Sequence, residues 1–255
     1  MLTELQKHEF GTFGFLLLKN FIPSDEMQVY INAFDPTMTK ANGGVPWDRA
    51  PEDHFVKTFY RYNPEVYHRL LDHPKINDVV EDLLGEDYVF WNAAGWHRWG
   101  GTHWHHDDIA PDNQTHLKFT FFLDPVRSNT GALRVLPGTH FLPARERMES
   151  WYENNNCQDY TEWPSAVILE SNPGDAVIFN VKAYHAAFGE TSNRRVIYIN
   201  YIQKPTNSEE ENYLTSRYDY ENPLYTPELF EDATPKRMRM LAFIKERCYD
   251  KSGGF

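Results

Sequence analysis

The pattern of apolar and polar positions divides the chain into two regimes. Up to about residue 85 it has one short apolar run followed by stretches with helical spacing. Phe13-Gly14-Phe15-Leu16-Leu17-Leu18 predicts a first strand. Pro23-Ser24-Asp25-Glu26 then opens a helix with Ser24 as N-cap, and Met27, Val29, Tyr30 and Phe34 form its packed side. Two further helices are expected over Pro64 to Leu71 and Pro74 to Leu84, the second stopped by Gly85. From Tyr88 onward short apolar runs alternate with turn residues. Strands are predicted at 88–91, 117–123, 132–136, 166–169, 175–179 and 196–202, with breaks at Asp124-Pro125 and Pro137-Gly138. A last amphipathic helix is expected from Thr234 to Tyr249. Evenly spaced short strands imply a mainly β sandwich or jelly roll, not a parallel α/β sheet. The organisation expected is a single domain over residues 1–255, with helical support mainly at 20–85 and 234–249 and a β core at about 88–202.

Composition narrows the function classes. The net charge of −12 disfavours binding to nucleic-acid phosphates. The one basic run, Lys236-Arg237-Met238-Arg239, reads as a solvated helix face. Cys157 and Cys248 are too few for a disulfide framework and have no neighbour at metal-ligand spacing. The N-terminus has no basic leader with a long apolar run, and Phe13 to Leu18 is too short to span a bilayer. A cytoplasmic protein with no nucleic-acid or membrane partner is therefore expected.

The chemistry concentrates in Thr102-His103-Trp104-His105-His106-Asp107-Asp108. Successive side chains of a strand point to opposite faces. His105 therefore pairs with Asp107, and His106 with Asp108, and either pair offers a nitrogen and an oxygen to one metal. A third ligand must come from elsewhere. His185 qualifies, because it follows the turn and apolar strand Asn172-Pro173-Gly174-Asp175-Ala176-Val177-Ile178-Phe179. A two-histidine, one-carboxylate set leaves open positions on iron(II). Arg194-Arg195 then heads the next strand and supplies a carboxylate anchor.

These pieces together resemble the phytanoyl-CoA dioxygenase (PhyH) family of Fe(II)/2-oxoglutarate-dependent oxygenases. The matching segments are Trp104-His105-His106-Asp107, Asn129-Thr130-Gly131-Ala132-Leu133-Arg134-Val135-Leu136-Pro137-Gly138-Thr139-His140, Gly174-Asp175, His185 and Arg194. The resemblance runs from about Leu16 to Tyr201. It implies a double-stranded β-helix, a cupin-like jelly roll with flanking α-helices, and a metal at its open end. It implies Fe(II) on His105, Asp107 and His185, with 2-oxoglutarate and O2 as co-substrates and Arg194 on the far carboxylate of 2-oxoglutarate. The implied reaction is oxidation of a small-molecule C–H bond, in the first instance hydroxylation, with release of succinate and CO2. Halogenating members of the wider group lack the carboxylate ligand, so Asp107 favours hydroxylation or a related oxidation.

The chain departs from the family at His185-Ala186-Ala187, where an "HGS" run is common, and its loop from His185 to Arg194 is short. Arg195 thereby stays a rival anchor, as His106 and Asp108 stay a rival metal pair. Asn92 is a further candidate for binding the co-substrate. Trp96, Arg98, Phe59 and Tyr60 are candidate substrate contacts, with Trp47 beside them in the N-terminal part that covers such sites in the family. His97, His116 and His140 read as packing or surface residues. Two other classes compete with the oxygenase: a non-catalytic jelly-roll binding protein with a vestigial metal site, and a metal-dependent cupin-type isomerase or hydrolase that does not use 2-oxoglutarate. An arginine anchor after His185 argues against both. Nothing in the pattern selects the substrate, the position oxidised or an oligomeric state.

Overall fold

The computed structural model describes residues 1–47, 52–107, 111–155, 160–190, 193–219 and 223–252. Cys157 and Asp108, half of the rival metal pair, lie outside the described residues. The chain begins with helix α1 (Glu4–Phe13), which has a Thr3/Gln6 capping box and ends at Gly14 in a left-handed conformation. The first strand, β1, is therefore only Phe15–Leu18. Helix α2 (Ser24–Ala41) follows, with Pro23 at the N-cap and no side-chain cap bond, so Ser24 is its first residue and not its cap. Then come β2 (His54–Lys57), α3 (Pro64–Leu71) and α4 (Pro74–Leu84).

The remaining strands are β3 (Val89–Arg98), β4 (Thr102–His105), β5 (His116–Phe122), β6 (Thr130–Val135), β7 (Val167–Leu169), β8 (Ala176–Asn180), β9 (His185–Gly189) and β10 (Arg194–Ile202). Helix α5 (Leu142–Asn154) sits between β6 and β7, and α6 (Ser208–Ser216) and α7 (Pro235–Ile244) follow β10. The late helix expected as one piece continues past α7 as a wider π turn over Lys245–Tyr249.

The strands form two antiparallel sheets. One has six strands in the order β1-β8-β5-β10-β3-β2 and the other has four, β4-β9-β6-β7. Two-residue alternation sorts the side chains of the larger sheet. Leu117, Phe119 and Phe121 of β5, with Ile197, Ile199 and Tyr201 of β10, pack against the helices in the main core. Phe122, Val177, Phe179 and Val196 point the other way and meet Leu133, Val135, Leu169 and Ala187 of the smaller sheet. A third cluster, Trp104, Leu136, Tyr184 and Phe188, covers the outer face of the smaller sheet with Met148 and Tyr152 of α5. The central strands are thus apolar on both faces, which is why they read as continuous runs and not as alternating ones.

The basic run on α7 is a solvated face only at Met238 and Arg239. Arg237 is 1% exposed, with one guanidinium nitrogen 3.2 Å from Asp72 and another donating to the Glu231 carbonyl. Lys236 pairs with Glu81 of α4. These residues fasten α7 to α3 and α4, because a buried guanidinium needs an acid and carbonyls around it.

The turn into β8 is clasped to the chain after β1. Asp175 accepts from the backbone N–H of Asn20 and Asn172 and pairs with Lys19, while Gly174 accepts from Ile22 N–H at 2.9 Å. Gly174 has φ +94°, and a Cβ there would stand 2.7 Å from the Ile22 carbonyl oxygen. Gly174→Ala should therefore lower the unfolding free energy by more than about 1 kcal/mol, read from urea denaturation. An unchanged midpoint would contradict this account of the turn.

Candidate metal and co-substrate site

Strands β4 and β9 pair with His105 opposite His185, and the two rings lie 4.3 Å apart between centroids. Alternation turns Trp104 outward into the third cluster, where its indole N–H donates to the Thr161 carbonyl at 2.8 Å, and turns His105 inward. Asp107 follows the strand and is held by its backbone N–H on the Val181 carbonyl at 3.0 Å. Its Oδ1 is 3.5 Å from His105 Nε2 and its Oδ2 is 3.7 Å from His185 Nε2. Among the described residues these three form the group able to hold a metal ion, with one donor atom from each all within 4.8 Å of one another.

Their protonation suits that use. His105 Nδ1 lies 2.7 Å from the His103 carbonyl and His185 Nδ1 lies 2.8 Å from the Ala183 carbonyl. A carbonyl only accepts, so each Nδ1 carries a proton and Nε2 is the nitrogen each ring presents toward Asp107. Burial pushes the pKa of His185 down to about 3, outweighing the pull of Asp107, so its imidazole is neutral. Burial alone would raise the Asp107 carboxyl. The Lys118 ammonium reverses this and holds it well below the usual carboxylate range. Two imidazole nitrogens and one carboxylate, converging on one point, fit a divalent first-row ion with positions left open.

The cluster forms one end of a cavity of about 100 Å³ between the sheets, walled by Phe122, Leu133, Phe179 and Ala187 together with Trp96 and Tyr198. Arg194 lines the same cavity. It is 2% exposed and donates to the Gly100 carbonyl at 3.1 Å. Arg195 faces the other side of β10. It holds Asp124 with two nitrogens, at 3.0 and 2.7 Å, and Asp35 of α2 at 3.0 Å. A larger depression of about 350 Å³ lies on that outer side, lined by Asp35, Trp47, His97, Asp124 and Arg195. Its arginine is already neutralised by two carboxylates, so the charge distribution points to the inner cavity as the site.

The other sequence candidates are placed as follows. Trp96 lines the cavity. Arg98 does not. It pairs with Asp53, with its guanidinium carbon 4.6 Å from the centre of the Trp96 ring. Asn92 is not among the cavity-lining residues, and its amide oxygen accepts from Asn200 at 2.8 Å. Phe59 and Tyr60 are 1% and 0% exposed in the helix-side core, with the Tyr60 hydroxyl donating to the Leu224 carbonyl. They sit beneath the larger sheet and not at the cavity. Trp47 stacks on His97 at 4.2 Å on the outer face. His106 turns away from the cluster, its Nε2 lying 2.9 Å from Glu149 of α5. His140 meets the Gly11 carbonyl, and His97 and His116 are buried.

Lys118, Tyr198 and Phe179 complete the site and were not singled out from sequence. Lys118 was open to detection as a lone cation in the apolar run Leu117–Phe122. Its Nζ is 2.5 Å from Asp107 Oδ2.

Fold and site together define a mainly antiparallel β protein with flanking helices and a two-histidine, one-carboxylate cluster facing a buried arginine. The chain belongs to the phytanoyl-CoA dioxygenase (PhyH) family, whose model matches residues 10–197. No curated protein matches it by sequence. Solved structures with a similar fold include HygX from Streptomyces hygroscopicus with nickel and 2-oxoglutarate bound. It is 18% identical with a TM-score of 0.65, and the match covers 81% of this chain and 88% of that one. The carbocyclase SnoK from nogalamycin biosynthesis is 19% identical with a TM-score of 0.62, covering 89% of this chain and 95% of that one. EctD from S. alaskensis with 2-oxoglutarate and 5-hydroxyectoine is 18% identical with a TM-score of 0.59, covering 78% and 76%.

The outward network of Arg195 gives a structural prediction. Arg195→Ala should cost roughly 1 kcal/mol of stability in chemical denaturation, because the pairs are partly exposed. Stability equal to wild type would show that Asp35 and Asp124 do not anchor β10.

Proposed function

We propose that this chain is an Fe(II)- and 2-oxoglutarate-dependent oxygenase that oxidises, most simply by hydroxylation, a C–H bond of a small molecule. The observation that carries the reading is one narrow cavity with His105, Asp107 and His185 at one end and buried Arg194 at the other. His105 and His185 would bind the metal through Nε2, and Asp107 through a carboxylate oxygen. Bound iron(II) supplies the activation of O2 coupled to oxidative decarboxylation of 2-oxoglutarate to succinate and CO2. The protein's part is orientation, charge balance and exclusion of water. Arg194 offers two parallel N–H donors to the far carboxylate of 2-oxoglutarate, a contact strengthened where water is excluded. Trp96, Phe122 and Tyr198 close the cavity around the carbon chain between the two ends.

Family membership supports this reading, as does a shared fold with structures that hold 2-oxoglutarate. The same fold also carries a carbocyclase and the epimerase SnoN, so ring closure or epimerisation is the second outcome considered for the oxidised substrate. No helix among the described residues is long and apolar enough to cross a membrane. We place the enzyme in the cytoplasm as a single domain acting on a small molecule.

Succinate formation from 2-oxoglutarate by iron-loaded protein should require O2 and disappear in His105→Ala and His185→Ala. Full turnover in both variants would remove this metal site. Truncating one partner of a buried charge pair costs roughly 2–5 kcal/mol, and about 1.4 kcal/mol is tenfold. Arg194→Ala should therefore weaken 2-oxoglutarate binding at least about tenfold, and Arg195→Ala should leave it nearly unchanged. Calorimetric titration without oxygen separates the two, and the reverse pattern would overturn the assignment of Arg194.

A further inference from the structure

We propose that Lys118 is the second carboxylate-binding residue of the cavity, taking the carboxylate next to the oxo group of the 2-oxo acid while Arg194 takes the far one. This rests on the co-substrate reading above. Apart from the two histidines, Asp107, Lys118 and Arg194 are the ionisable cations and acid among the described residues that line the cavity. Lys118 sits on the inner face of β5, between the rings of Phe179 and Tyr198 at 5.6 and 5.0 Å. Its ammonium rests on Asp107 Oδ2 at 2.5 Å, the same carboxylate that a metal would take.

A divalent ion on Asp107 changes the balance. Two cations then share one carboxylate in a site whose lysine side chain is 16% exposed. A charged group that is largely out of water needs a partner, and a second anion beside the metal restores it. The register places Lys118 opposite Asn200, whereas Arg194 lies at the other end of the same strand. The two cations therefore stand at opposite ends of the cavity, one beside the metal ligands and one far from them. A 2-oxo dicarboxylate has one carboxylate for each end. Arg194 alone accounts for one of its charges, and Lys118 accounts for the other. A carboxylate on the molecule to be oxidised is the rival occupant of Lys118.

The test titrates two 2-oxo acids into cobalt(II)-loaded protein, followed by calorimetry. One is 2-oxoglutarate. The other is 2-oxovalerate, which keeps the 2-oxo carboxylate and has a methyl group in place of the far carboxylate. Metal affinity is measured first for wild type, Lys118→Met, Lys118→Arg and Arg194→Met. Lys118→Met should bind both acids at least about tenfold more weakly at saturating metal, and Lys118→Arg should recover part of the loss. Arg194→Met should lower 2-oxoglutarate affinity toward that of 2-oxovalerate and leave 2-oxovalerate unchanged. Wild-type affinity for both acids in Lys118→Met would overturn the proposal and leave Lys118 to the substrate. A loss seen only in metal affinity would overturn it too, making Lys118 a support for Asp107 alone. Failure of wild-type protein to bind 2-oxoglutarate with metal present would instead overturn the co-substrate reading, and this proposal with it.

Discussion

The two-residue period of β10 is the constraint on which the site depends. Arg195 is fixed outward by Asp124 and Asp35, which tie the strand to the turn after β5 and to α2. With that side chain outward, Arg194, Val196 and Tyr198 must face the space between the sheets, and Ile197, Ile199 and Tyr201 must enter the helix-side core. A slip of one residue would exchange the faces of Arg194 and Arg195 and turn Tyr198 and Asn200 into the helix-side core in place of Ile197, Ile199 and Tyr201. The neighbouring strands repeat the logic. Trp104 packed outward sets His105 inward, and pairing with β9 brings His185 beside it.

The apolar walls then determine the chemistry. Phe122, Leu133 and Phe179 shield the cavity from water, so the few charges inside interact strongly. The same burial holds His185 neutral, while Lys118 keeps Asp107 anionic, giving the donor set the charge state a metal requires. Carbonyls behind each imidazole fix which nitrogen faces the site. One sandwich core thus supplies the stability, the low dielectric and the aim of the ligands.

Much of this was legible in the sequence, for identifiable reasons. Helices α3 and α4 begin at prolines and carry clear apolar stripes, and Gly85 ends the second. The central strands were visible as β-rich apolar runs between turn residues. Helices α5 and α6 were not, because their sequences are mostly polar and rest on the fold by few buried residues. Helix α1 was missed because a capping box and a left-handed glycine define it more than any apolar stripe. That His105, Asp107 and His185 converge and Arg194 faces the same cavity was legible because motif and alternation agree. Phe59 and Tyr60 were misplaced because an aromatic run looks the same in a core as at a cavity wall. Lys118 was passed over because its meaning comes from Asp107, eleven positions away in sequence and adjacent only after folding.

The central claim is that one bound metal and one 2-oxo acid meet at His105, Asp107 and His185. Its most direct test is anaerobic optical titration of the iron(II)-loaded protein with 2-oxoglutarate. The account predicts a weak visible charge-transfer band that saturates with added 2-oxoglutarate in wild-type protein and is absent in His185→Ala. No band in wild type, or an undiminished band in His185→Ala, would contradict it.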